Sequence, residues 1–135
     1  MRKIVCLCVL ALVVAFAGCA KNVAVTVSSI VPATQAEVKT GKDSNDNPTV
    51  ELKVKHLAPA ENLQPSKSVY VVWVETTDGK TFNAGRLKLN DDLEGEIKVM
   101  TPHPRFRLVV SAEDDPLATV PGSQRVIETN QIEIR

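Results

Sequence analysis

His56 and His103 are the two histidines of the chain, and an imidazole can ligate a metal or move a proton near neutral pH. They lie 47 residues apart, and neither has a second His or a Cys nearby. His56 ends an alternating segment, and His103 sits between Pro102 and Pro104. That placement fits solvated or capping side chains rather than a metal pair or a general base. Asp43, Asn45, Asp46 and Asn47 offer oxygen ligands in one loop. A calcium loop wants a glycine at its sixth position and a carboxylate at its twelfth. Counted from Asp43, those positions hold Pro48 and Val54, so the expectation is a polar turn. Asp91-Asp92-Leu93-Glu94 and Glu113-Asp114-Asp115 read as solvated turns in the same way. No serine lies in a Gly-x-Ser-x-Gly elbow; Gly122-Ser123-Gln124 lacks the second glycine. No phosphate-cradling glycine loop is present. The expectation is therefore no catalytic residue, no metal site and no cofactor.

The cysteines point elsewhere. Cys6 and Cys8 lie within an unbroken apolar run at 4–16, preceded by Arg2 and Lys3 and followed by Ala17-Gly18-Cys19. A basic start, a short apolar stretch and small residues before a cut site make a secretory signal. The run of 13 residues is shorter than the roughly 20 that a spanning helix needs. The Ala17-Gly18-Cys19 ending resembles the lipobox of bacterial lipoproteins, with Phe16 where that pattern prefers Leu. The resemblance implies cleavage before Cys19, acylation of its thiol, and anchoring to a membrane on the extracytoplasmic side of the cell envelope. Two or more acyl chains give stable anchoring, one only marginal binding. The organisation expected is a signal peptide at 1–18, a lipidated tether at 19–22 and one domain at 23–135. Cys6 and Cys8 would leave with the signal, so the mature domain could form neither a disulfide nor a cysteine-ligated metal site. Loss of Arg2 and Lys3 leaves 14 basic against 16 acidic residues, a net charge of about −2. With no basic run, nucleic acid is not expected as a partner.

The elements that would position any site are strands. Val50, Leu52 and Val54 alternate with Glu51, Lys53 and Lys55. Phe106, Leu108, Val110 and Ala112 alternate with Arg105, Arg107, Val109 and Ser111. Shorter alternations centre on Val25, on Leu87 and Leu89, on Ile97 and Val99, and on Ile132 and Ile134. Period two predicts strands with one buried face. Polar or Pro-rich breaks at 40–48, 90–92, 102–104 and 116–122 separate them, and Asp78-Gly79 marks a hairpin. The only helical turn expected is at 59–63. Short strands at such spacing predict an all-β, antiparallel, immunoglobulin-like β-sandwich of seven to eight strands.

Tyr70-Val71-Val72-Trp73-Val74, Gly79, Asn83-Ala84-Gly85 and Leu87 carry more than periodicity. With Leu108 to Glu113 and Pro121-Gly122, they resemble the extracytoplasmic C-terminal domain of anti-sigma-K-type factors over 68–127. Those factors place a sigma-binding domain and a membrane helix ahead of this region, where a lipoprotein signal stands here. The resemblance thus implies a β-sandwich rather than an anti-sigma activity, and it brings no catalytic residues.

The run Val69 to Val74 is apolar on both parities. A sandwich strand has one face against the core, so the other needs a cover. Trp73 is expected to face the core. Tyr70, Val72 and Val74 are the candidate interface, covered either by the loop at 56–67 or by a partner or second copy. The expected function is a lipid-anchored, non-catalytic envelope module that binds or spaces a partner. The alternatives are an accessory of envelope-stress or anti-sigma regulation, and a hydrolase assembled from distant loops.

Overall fold

Strand β3 (Pro48–Lys55) shows the alternation at its plainest, with Val50, Leu52 and Val54 buried and Glu51 and Lys53 partly open to solvent. It is the middle of a three-stranded antiparallel sheet, between β2 (Gln35–Lys42) and β6 (Gly95–Met100). The structure, a computed structural model, describes residues 23–135. The second sheet has six strands in the order β1 (Val25–Val27), β8 (Arg125–Thr129), β7 (Arg105–Glu113), β4 (Val69–Thr76), β5 (Thr81–Leu87). The short β9 (Ile132–Glu133) continues along β7 after β8 ends. All pairings are antiparallel. The fold is thus the all-β sandwich that the alternation predicts, with nine strands among the described residues where seven to eight are expected. One turn of 3-10 helix at Ala60–Asn62 falls within the stretch expected to turn.

The inner faces meet in one core. Val50, Leu52, Val54 and Val99 of the small sheet oppose Tyr70, Val72, Val74, Phe106, Leu108 and Val110 of the large one. Leu57, Ala60 and Leu63 cap the core at one end, and the Tyr70 hydroxyl donates to the Ala58 carbonyl there. Burial pushes the Tyr70 phenol up to about 12, with Glu61 adding to the shift.

The outer face of the small sheet is a charge checkerboard. Glu37, Lys53 and Glu96 stand across the three strands in one row, and Lys39, Glu51 and Lys98 in the next. Opposite charges directly across strands support pairing, and a solvated antiparallel face needs no apolar cover.

The loops gather at two poles. One pole holds the turns at 43–47, 77–80 and 101–104 together with the C-terminal residues. Ala24 is fixed there by exchange of hydrogen bonds with Asn130, at 3.0 Å to its side chain and 2.9 Å from its backbone N–H. The loops at 28–34, 56–68 and 88–94 lie at the other pole, and the β7–β8 connection starts from it.

Candidate functional site

The antiparallel register of β4 on β7 decides which of its two apolar faces is inside. Tyr70 pairs with Ala112, Val72 with Val110 and Val74 with Leu108. Paired residues share a face, and Leu108, Val110 and Ala112 point into the core. The expectation for this strand is therefore inverted. Tyr70, Val72 and Val74 are core residues, almost fully buried, and form no interface. Val69, Val71 and Trp73 form the second face with Val109, in a separate cluster outside the sheet. The loop at 56–67 covers the end of the main core rather than this second face.

The cover of the second face is the β7–β8 connection, which folds back as a strap across the sheet. Ala118 packs on the cluster. Asn83 of β5 donates from its side-chain amide to the Pro116 and Ala118 carbonyls, at 2.9 and 3.0 Å. At the other side, the indole Nε1 of Trp73 donates to Ser111 Oγ at 2.8 Å, and that hydroxyl donates to Glu113 Oε1 at 2.6 Å. The same carboxylate oxygen accepts the Gly122 N–H at 2.6 Å. A Cβ on Gly122 would stand 3.1 and 3.2 Å from the Glu113 oxygens, so a glycine suits this close approach. Further along the face, Arg107 pairs with Glu75 at 2.5 Å, and Arg125 bridges Glu75 and Glu128 at 3.6 and 3.3 Å.

Between β5 and the strap runs an open groove of about 680 Å³. Asn83, Gly85, Arg86 and Leu117 line it, with Phe82 at one end. Leu117 is 81% exposed, and Val120 further along the strap is also exposed. A second groove of about 300 Å³, at the pole away from Asn130, lies between the 3-10 turn and the β5–β6 loop.

The residues weighed for chemistry are dispersed. His56 adopts a left-handed backbone and its carbonyl accepts from the Thr34 hydroxyl. His103 stacks on Phe82, with ring centroids 5.3 Å apart. The Asp43 carboxylate accepts from the Asn45 and Asn47 backbone N–H groups and from the Asn47 amide, at 2.8, 2.9 and 3.1 Å. Those bonds, the Asn47 backbone first, hold it below the usual carboxylate range. Asn90 organises the turn at 90–94 through its side-chain oxygen. Among the described residues, no group of three or more His, Cys, Asp or Glu is placed to hold a metal ion. No helix among them is long and apolar enough to cross a membrane. Cys19, the signal expected at 1–18 and the tether expected at 19–22 lie outside the described residues.

The strap's fastenings are absent from the reading of single residues. Asn83 stands in the sequence only as part of a longer pattern, and Ser111 as an outward-facing strand residue. The expectation of a solvated turn at Glu113-Asp114-Asp115 is corrected at Glu113, which ends β7 with its carboxylate accepting from Ser111 and Gly122. The available signal was the polar parity of Ser111 and Glu113 on a strand whose neighbour is apolar on both faces. No family model matches the chain, and no curated protein or solved structure matches it.

Proposed function

We propose that the chain is a lipid-anchored, non-catalytic module of the cell envelope that binds or spaces an envelope partner. The observation that carries this reading is the order of Arg2-Lys3, the apolar run at 4–16 and Ala17-Gly18-Cys19, directly ahead of a domain without cysteine. Secretion signals have that order, and an acylated cysteine would hold the domain outside the cytoplasm. A non-catalytic role is supported by what the polar side chains do. Ser111 and Glu113 fasten the strap, Asp43 builds a turn, and Glu75 is matched by two arginines. Exposed Leu117 and Val120 on a fastened strap offer apolar surface of the kind that partners cover.

The test is Cys19→Ser in the native host, followed by membrane fractionation and labelling with a fatty-acid analogue. Loss of label together with an unprocessed or soluble protein supports the reading. A variant still cut at this site and still membrane-bound would overturn it.

A further inference from the structure

Val23 enters the domain at the pole where Ala24 and Asn130 exchange hydrogen bonds. Four residue steps separate Cys19 from Val23, a reach of at most about 14 Å even when fully extended. The other pole lies a full strand away, and β4, with eight residues, is about 27 Å long. A lipid on Cys19 therefore holds the Asn130 pole at the bilayer. A single tether at one corner would still let the domain swivel.

The opposite corner of the same pole carries a second feature. Strand β1 is one edge of the large sheet and β5 the other, four strand spacings apart, or about 19 Å. At the β5 corner Phe82 is 46% exposed and stacks on His103, and Met100 at the end of β6 is 66% exposed. These are two of the five large apolar side chains exposed among the described residues. The turns and strand ends of this pole hold Lys42, Lys80, Arg105 and Arg135 and, in equal number, Asp43, Asp46, Asp78 and Glu133. Lys80 pairs with Asp78, and Arg105 and Arg135 with Glu133. Balanced charge favours the interface of a zwitterionic bilayer over an anionic partner, because no excess cation would be left to attract one.

We infer that this pole is a membrane-contact surface, with Phe82 and Met100 seated at headgroup level opposite the tether. Two contacts about 19 Å apart would hold the sandwich upright and present the other pole, with its 300 Å³ groove, away from the membrane. The inference rests on the lipidation proposed above.

The processed lipoprotein, reconstituted in phosphatidylcholine vesicles containing spin-labelled lipid, tests it. Once Cys19 is acylated, Met100→Cys supplies one reactive thiol for a fluorophore. Lys80→Cys, in the β4–β5 turn, provides a second label at the same pole, and Ile30→Cys marks the other pole. The expected result is quenching several-fold stronger at Met100→Cys and Lys80→Cys than at Ile30→Cys, with the Lys80→Cys quenching falling several-fold when Phe82→Ser is added. Lys80→Cys quenching unchanged by Phe82→Ser would overturn the second contact. Equal quenching at the three positions, or stronger quenching at Ile30→Cys, would overturn the orientation while lipidation stands. Failure of the unlabelled protein to float with the vesicles would refute lipidation, and this inference with it.

Discussion

Trp73 and Ser111 sit on neighbouring strands, and the 2.8 Å bond from indole to hydroxyl is buried beneath the strap. The hydroxyl passes its own proton toward Glu113, so one serine satisfies the indole and orients the carboxylate that holds Gly122. Ser111→Ala leaves the indole N–H without this partner in a site closed to water. The expected loss is about 1–3 kcal/mol in chemical denaturation. A loss below about 0.5 kcal/mol would mean the bond is not formed in solution.

The inverted faces of β4 make a separate prediction. Val72→Glu puts a carboxylate into the inter-sheet core, and the domain should fail to fold or melt far below the parent, because an unpaired buried charge is not tolerated. Phe106→Ala and Leu108→Ala should cost about 3–5 and 2–5 kcal/mol, since both side chains are buried between the sheets. A Val72→Glu protein with nearly unchanged melting would restore the interface reading of this face.

How far the sequence speaks for the fold depends on the strand. β3 and β7 were legible because each has one wet or strapped face and one core face, which is what period two reports. β2 was not: only Ala36 and Val38 are half-buried in its eight residues, and its place is set by backbone pairing along β3. β8 was hidden by a bulge. Its register on β7 skips Val126, so Val126 and Ile127 both enter the core and the alternation is lost. For β4 the pattern was apolar on both sides, and the inner face follows only from pairing with β7. In the sequence the strap is a Pro- and Gly-containing loop, and its fastening depends on residues brought together from β5 and β7.

Gly122 tests the strap directly. The Glu113 carboxylate is held by two donors, and a methyl group on Gly122, 3.1 and 3.2 Å from its oxygens, would require it to shift. Gly122→Ala should speed amide exchange over 116–122 while the strands β3 and β7 keep their protection. Unchanged exchange in the strap would show that the carboxylate moves aside freely.

The checkerboard face carries a pH signature. A hydrogen bond between Glu51 and Glu96 holds Glu51 below the usual 4.5 and raises Glu96 above it. A raised folded value means that the Glu96 contribution to stability is present below 4.5 and is lost as pH rises through the folded value. The Glu51 contribution has the opposite sign: it is present above 4.5 and is lost as pH falls through its lowered value. Carboxyl NMR titration should place Glu96 above Glu51. Glu96→Gln should gain stability relative to the parent as pH rises through the Glu96 transition. Coincident titration of the two groups would contradict the pairing.

Cys19 is the residue on which lipid anchoring depends. Intact-mass spectrometry of the protein extracted from native membranes reads its state in one measurement. The predicted mass is that of a chain beginning at Cys19 with two or more acyl chains attached. A chain retaining Met1, or one cut elsewhere and bearing no lipid, would contradict it.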